Sequence, residues 1–178
     1  SVSGFGQTGP YTDRPVTDTV MQSFSGLMSV NKGVADGMPH RVGVVVVDHV
    51  TGVYAFQSVA AALYARRDNE EGRFIDVSLM AATAGLMAPK LIEHTIQPGE
   101  QSITNAPAGS YRTKDGWIAV TLIKEAHWAN ICRCLEREEL ASDPRFNSFG
   151  VRAENLDELH GLIRPVFQGR TTAEWAAI

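Results

Sequence analysis

The sequence predicts a mixed α/β protein in two parts, a helix-rich part over residues 1–100 and a small α+β part over residues 101–178. Before residue 100, apolar residues recur mainly at the spacing of helices. After it, an Asp-Gly pair separates two alternating runs, which is a strong hairpin signal. The composition, 44% hydrophobic and 20% charged, favours a folded core over a disordered segment.

Two helices are expected in the first half of the helix-rich part. An apolar stripe after Thr17 and Asp18, its possible caps, consists of Val20, Met21, Phe24, Leu27 and Met28. A second stripe, which closes at Arg66–Arg67, consists of Val53, Phe56, Ala60 and Leu63. A polar loop over 31–40 and the apolar run Val44–Val47 lie between them.

Short strands and a third helix complete this part. Ser1–Ser3 is typical of the end of a strand, and Phe74–Val77 is strand-like. Ser78 is a candidate cap for the third helix. Pro89 should kink or interrupt that helix, because proline lacks the N–H that a helix interior needs.

The second part begins after a linker over residues 104–109. Lys114–Gly116 is expected to turn a hairpin between runs 109–113 and 117–122. Two amphipathic helices should follow, one with Trp128, Ile131, Cys132 and Leu135, the other with Leu156, Leu159, Ile163 and Val166, ended by Gly169. Thr171 and Glu174 form a capping box that opens a last helix.

Both ends of the chain are interpreted as cut. The sequence begins at Ser1 within a strand-like segment, and few residues follow the capping box at Thr171. We therefore expect an internal piece of a longer protein, truncated at its C-terminus.

The charge balance argues against two classes of partner. The formal net charge is −4, from 16 basic and 20 acidic residues, whereas nucleic-acid binding favours a basic patch. The most apolar stretch, 42–65, approaches the length of a membrane span, but Asp48, His49 and Gln57 interrupt it. No nucleic acid and no membrane are expected as partners.

The cysteines and histidines predict no metal site. Cys132 and Cys134 lie two apart in a helical pattern, so their side chains diverge. Unpaired cysteines indicate a reducing compartment, and we expect a cytoplasmic protein. No spacing typical of metal ligands links the histidines His40, His49, His94, His127 and His160.

The segment Gly4–Gly9 matches the pattern G-x-G-x-x-G of dinucleotide-binding loops. In those folds the loop opens a helix whose N-terminus holds the pyrophosphate. Here Pro10, Tyr11 and Pro15 extend an irregular stretch instead. We interpret the segment as a tight, mobile loop, with no NAD site.

Asp48 is the carboxylate of greatest interest, and two interpretations remain open. It follows an apolar run and precedes a helix, so it is a candidate N-cap. Alternatively, valines around it reduce hydration and raise its nucleophilicity, while the helix N-terminus offers amide donors to an oxyanion. Gly52, one turn later, would let a bulky ligand approach the backbone.

Several motifs, which follow one another in the order found in the family, resemble the family III (CaiB/BaiF-type) CoA-transferases. They are Ser3–Tyr11, Arg14–Pro15, Gln22, Ser25–Leu27, Asp48, Gly72–Leu79, Asp115–Val120, Asp143–Phe146 and Thr172–Trp175. The resemblance implies a partial CaiB/BaiF fold, that is, the helix-rich part of the large domain plus a small domain. It also implies an interlocked homodimer for the parent protein.

The resemblance further implies transfer of coenzyme A between an acyl-CoA and a small carboxylic acid. Asp48 matches the family's nucleophile, which forms an aspartyl anhydride and then an aspartyl-CoA thioester. Coenzyme A is then a co-substrate, and no permanently bound cofactor is expected. Residues at positions that contact CoA or substrate in the family are Val16, Thr17, Leu79 and Gly109, the last in a loop that covers the site from the partner subunit.

Two alternatives accompany this expectation. A 2-methylacyl-CoA racemase shares the fold, but racemases carry a histidine at the position of Thr17, and threonine is no base at neutral pH. The other alternative is a catalytically incompetent fragment, because most residues that hold the CoA phosphates in the family precede this segment. We expect the isolated 178-residue chain to be inactive.

Overall fold

The structure is a computed structural model that describes residues 1–31, 37–68, 71–99 and 105–178. The chain forms two compact units, Ser1–Gly99 and Glu100–Ile178. Among the described helices, none combines the length and the apolar character that crossing a bilayer requires.

The first unit contains five helices and two short strands among its described residues. Its helices are α1 (Asp18–Phe24), α2 (Leu27–Val30), α3 (Val46–Arg66), α4 (Leu79–Leu86) and α5 (Ala88–Ile96). The strands β1 (Val2–Ser3) and β2 (Val77–Ser78) pair in parallel, with Val2 opposite Val77. The short strand expected over Phe74–Val77 forms only at its end, in β2. Part of the loop over 31–40 lies outside the described residues.

Local signals placed the boundaries of α4 and α5 correctly. The Ser78 hydroxyl accepts a hydrogen bond from the Ala81 N–H at 3.1 Å, which confirms the predicted cap. The predicted interruption near Pro89 is also confirmed, because the helix breaks at Met87 and Pro89 lies in the first turn of α5. There the missing proline N–H costs nothing, since first-turn amides have no partner within the helix.

The first predicted helix is instead two helices. The break falls at Gly26, whose φ of 82° lies in the left-handed region that glycine adopts readily. Thr17 occupies the N-cap position of α1, but its side chain makes no capping hydrogen bond. The expected N-cap position of Thr17 is therefore confirmed, although its side chain does not cap the helix. The Asp18 side chain serves another helix, as described below.

The glycine-rich segment is a loop, as predicted, and no helix opens from it. Gly6 and Gly9 have positive φ angles of 94° and 98°. The Gln7 N–H donates to the Asp76 carboxylate at 3.0 Å, which fastens the loop to the residue before β2. The first helix begins only at Asp18, so the N-terminal helix that a pyrophosphate site needs is missing at this loop.

The first unit buries little of its apolar surface. Its buried apolar side chains are Met21, Val47, Val77, Ala82 and Met87. By contrast, the α3 stripe that predicted the helix is largely exposed, with Phe56 at 74% and Leu63 at 60%. The helical spacing was correctly interpreted, but the stripe faces outward in this structure rather than toward a core.

The second unit contains a hairpin and five helices in its described part. The hairpin is β3 (Gly109–Arg112) and β4 (Trp117–Val120), and the helices are α6 (Ala126–Cys134), α7 (Glu139–Ser142), α8 (Phe149–Glu154), α9 (Leu156–Phe167) and α10 (Thr172–Ala176). The predicted antiparallel pairing is confirmed, with Gly109 opposite Val120 and Arg112 opposite Trp117. The α10 capping box at Thr171 and Glu174 is also confirmed.

One apolar core fills this unit. It contains side chains of the hairpin and of four helices, among them Tyr111, Trp128, Leu159, Phe167 and Trp175. Cys132 is part of this core, and burial raises the pKa of its thiol to about 12. The thiol is therefore protonated at neutral pH and behaves as a small apolar group.

A fully buried arginine, Arg152, connects distant parts of the second unit. Its guanidinium donates to the carbonyls of Ala106 at 2.8 Å and Phe146 at 2.7 Å and pairs with Glu125 at 2.5 Å. It also lies over the Trp128 ring at 4.9 Å. An arginine is rarely buried without such partners. The two carbonyl contacts of Arg152 hold loop segments at Ala106 and Phe146, whereas Glu125 and Trp128 belong to the start of α6.

We expect Arg152→Met to lower the free energy of unfolding of the second unit by about 2–4 kcal/mol, because two buried carbonyls lose their donor. All three tryptophans (Trp117, Trp128 and Trp175) lie in this unit, so denaturant unfolding followed by tryptophan fluorescence measures it directly.

The matched control is Arg133→Met, which changes an exposed arginine of α6. It should shift the unfolding free energy by no more than about 0.5 kcal/mol. Equal losses for the two variants would contradict the importance of the Arg152 contacts.

Candidate active site

Asp48 lies within the first turn of α3 rather than before it. The N-cap position is Val45, so Asp48 is the third helical residue and its interpretation as the N-cap is wrong. The expectation that valines shield its carboxylate is also wrong, because Asp48 is exposed while Val47 beside it is buried. A helix turns successive side chains by about 100°, which places neighbours in such different surroundings.

The first-turn amides of α3 are satisfied, with one exception. The Val46 N–H donates to the Val44 carbonyl at 2.9 Å, and the His49 N–H to the Val45 carbonyl at 3.1 Å. The Val47 N–H donates to the Asp18 carboxylate at 2.8 Å. Within the described part of the chain, the Asp48 N–H has no acceptor. This free donor lies at the positive end of the α3 dipole, beside the Asp48 side chain.

Asp48 lines a shallow surface depression of about 470 Å³. The other lining residues are His49, Gly52, Val53 and Phe56. No atom lies within 4 Å of the position that a Cβ on Gly52 would take, so the backbone there is open to a ligand. The depression thus combines one carboxylate, an accessible stretch of helix backbone and an apolar rim.

His49 is the second titratable residue in this depression. Its Nδ1 lies 2.8 Å from the Val45 carbonyl oxygen, which can only accept. Nδ1 therefore carries the hydrogen, and Nε2 is left for solvent or a ligand.

A buried pair from α1 supports the start of α3. Asp18 is 4% exposed and Gln22 is fully buried. One Asp18 oxygen accepts from the Val47 N–H, and the other accepts from the Gln22 side-chain amide at 2.7 Å. Sequence reasoning assigned this aspartate to α1 alone. The signal that could have revealed the pair is its i, i+4 spacing, which places both polar side chains on one face of α1.

Two of the predicted contact residues, Val16 and Thr17, lie close to this support. Thr17 is exposed and directly precedes Asp18, whose carboxylate accepts the hydrogen bond from α3. Val16 is half-buried, and its side chain occupies the place where a Cβ on Gly4 would project.

Leu79 and Gly109 occupy different units. Leu79 is half-buried and begins α4, whose second residue, Met80, donates its N–H to the Gly4 carbonyl at 3.0 Å. Gly4 thus connects Val16 to the start of α4. Gly109 is exposed and begins β3 in the second unit, with no atom near the position of a Cβ.

The described residues contain no group of three or more His, Cys, Asp or Glu side chains that could hold a metal ion. The depression itself presents one accessible carboxylate, one imidazole and one backbone amide.

Comparisons with known proteins agree with the family resemblance of the sequence. The family model described as CoA-transferase family III matches residues 1–178. The chain is 30% identical over 181 residues to human succinyl-CoA:glutarate CoA-transferase, covering 98% of this chain and 41% of the relative. It is 32% identical over 182 residues to acetyl-CoA:oxalate CoA-transferase of Acetobacter aceti, covering 98% of this chain and 46% of the relative.

The fold is similar to that of a CaiB/BaiF family protein from Brucella suis. The TM-score is 0.79 at 26% sequence identity, covering 99% of this chain and 49% of the Brucella chain. The predicted partial CaiB/BaiF fold is thus confirmed. The chain spans less than half the length of each of these proteins.

We expect Gly52→Ala to stabilise α3 by about 0.5–1 kcal/mol, because alanine favours a helix interior over glycine and open space receives its methyl group. Amide hydrogen exchange along α3 measures this gain. Gly85→Ala is the contrast, since a Cβ there would lie 2.5 Å from the Tyr54 hydroxyl oxygen and should gain less. Destabilisation by Gly52→Ala would show that the position is not open.

Proposed function

The chain belongs to CoA-transferase family III, and on that basis we propose that the full-length protein transfers coenzyme A between an acyl-CoA and a free carboxylic acid, with Asp48 as nucleophile. The observation that carries the assignment to Asp48 is its position as an exposed carboxylate beside an unengaged amide and an open stretch of helix. The names of the relatives indicate the reaction class, as succinyl-CoA:glutarate and acetyl-CoA:oxalate transferases.

The first half of the proposed reaction loads CoA onto the protein. An Asp48 oxygen bonds to the thioester carbonyl carbon, the C–S bond breaks, and its electron pair leaves on sulfur as CoA thiolate. The thiolate then attacks the aspartyl carbonyl carbon of the anhydride. The bond from that carbon to the bridging oxygen breaks, and the donor acid leaves as a carboxylate with that oxygen.

The second half runs the same steps toward the acceptor. The acceptor carboxylate attacks the aspartyl-CoA thioester and expels the thiolate, which gives a second anhydride. The thiolate attacks the acceptor's carbonyl carbon and forms the new acyl-CoA. Asp48 is released as a carboxylate that now holds one oxygen from the acceptor, and no net proton, oxidant or reductant is required.

The residues around Asp48 support this chemistry in two ways. Each attack places negative charge on a former carbonyl oxygen, and the Asp48 N–H at the N-terminus of α3 is a donor for such an oxyanion. The open backbone at Gly52 leaves room for a thioester to reach the carboxylate. Val16, Thr17 and Leu79 of this unit, and Gly109 from the partner subunit of a homodimer, are proposed as further contacts of CoA or substrate.

We also propose that the 178-residue segment alone does not turn over. The resemblance to the family implies that most of the residues that hold the CoA phosphates precede this segment, so the segment alone would bind CoA poorly. The homodimer and the cytoplasmic location are proposals of the same kind.

The test is a covalent adduct on Asp48 in the full-length protein. Trypsin should release the peptide Val42–Arg66, in which Asp48 is the only acidic side chain, so mass spectrometry assigns any acyl or CoA adduct there without ambiguity. Incubation with succinyl-CoA should give the adduct, and Asp48→Ala should abolish it and lower kcat about a thousandfold or more.

Asp13→Asn is the matched control, since Asp13 is exposed and has no partner among the described residues. It should retain both adduct and kcat. Exchange that persists in Asp48→Ala, or an unmodified peptide during exchange with several acyl-CoA donors, would contradict the role of Asp48.

A further inference from the structure

We infer that Asp18 is a positioning residue for the nucleophile, an inference that rests on the proposed function of Asp48. Asp18 lies on α1 and takes no part in the depression. Through one hydrogen bond, its buried carboxylate determines where α3 begins and therefore where Asp48 and its free N–H lie.

The need for this bond follows from the sequence at the start of α3. The N-cap residue is Val45, whose side chain has no oxygen to accept from the first-turn amides. The Asp18 carboxylate replaces the absent cap from another helix, accepting from the Val47 N–H at 2.8 Å. Val47 is fully buried, so without Asp18 its N–H would face no solvent and no acceptor.

Gln22 extends the support to the segment before α3. Its side-chain oxygen accepts from the Val42 N–H at 2.8 Å, while its side-chain amide donates to Asp18 at 2.7 Å. The same amide lies 3.4 Å from the carbonyl oxygens of Val42 and Val44. Asp18 and Gln22 therefore fix residues 42–47 against α1, immediately before the nucleophile.

The contrast in exposure gives this support its functional meaning. Asp18, Gln22 and Val47 are buried, whereas Asp48 is exposed. The Asp18 carboxylate accepts from the Val47 N–H. The Asp48 N–H is then the first-turn amide left without an acceptor among the described residues. A rigid base with one free carboxylate and one free donor is the arrangement that covalent transfer requires, since errors of an ångström in position slow a reaction severely.

The first test is Asp18→Asn in the full-length protein. The Val47 N–H and the Gln22 side-chain amide each donate to one Asp18 oxygen. Asparagine offers a single oxygen and a donor in place of the other, so one of these two donors loses its acceptor. We expect kcat and the rate of adduct formation on Asp48 to fall about 100-fold. The KM for acyl-CoA should change less than about twofold, because Asp18 does not line the depression.

The reciprocal change Asp18→Asn/Gln22→Glu restores a donor opposite an acceptor at the buried pair. In that double variant the introduced asparagine amide is the donor, and the introduced glutamate carboxylate accepts from it and from the Val42 N–H. We expect it to recover at least about tenfold of the lost kcat. A folded double variant with the same kcat as Asp18→Asn would contradict a positioning role.

Gln22→Met is the second variant, in case Asp18→Asn does not fold. It keeps the side-chain volume and removes the amide that holds Asp18 and Val42. A fall in kcat of about tenfold at unchanged KM is expected, and an unchanged kcat would overturn the inference.

Asp13→Asn, the same chemical change at an exposed carboxylate, is the matched control and should leave kcat and KM unchanged. If Asp18→Asn folds and behaves like Asp13→Asn while Asp48→Ala is inactive, the positioning role is wrong and the proposed function stands. If Asp48→Ala is active, the proposed function itself fails.

Discussion

The hydrogen bond from the Val47 N–H to the buried Asp18 carboxylate is the contact on which the site geometry depends. A side-chain cap at a helix N-terminus contributes about 0.5–2 kcal/mol, and here valine occupies the N-cap, so α1 supplies the acceptor. Because that acceptor comes from another helix, the start of α3 and the packing of α1 against α3 are one constraint. The free Asp48 N–H and the exposed carboxylate both follow from it.

The two units differ in how apolar surface is used. The second unit encloses one core and fastens its loops through the buried Arg152. The first unit leaves much of α3 exposed, including Val53 and Phe56 beside Asp48. An accessible carboxylate with an apolar rim suits a thioester, since the reacting carbon must reach Asp48 while the acyl chain leaves water.

Features encoded by neighbouring residues were predictable from the sequence. The hairpin around Asp115, the Ser78 cap and the capping box at Thr171 each depend on residues a few positions apart. The start of α3 was misplaced because its cap lies 29 residues earlier in the chain. Arg152 was missed for the same reason, as its bond to Ala106 spans 46 residues. Asp48 was identified as the nucleophile from the family's order of motifs. The local sequence alone favoured Asp48 as the N-cap of α3, a position that Val45 occupies in the structure.

The most direct test of the central claim follows oxygen atoms. The full-length protein is incubated with an acyl-CoA and an acceptor acid whose carboxylate carries heavy oxygen, and the peptide Val42–Arg66 is weighed after turnover. Covalent transfer through Asp48 moves one acceptor oxygen onto that side chain in each cycle, so the peptide should gain heavy oxygen as the new acyl-CoA accumulates. Formation of the new acyl-CoA with a peptide of unchanged mass would contradict the account.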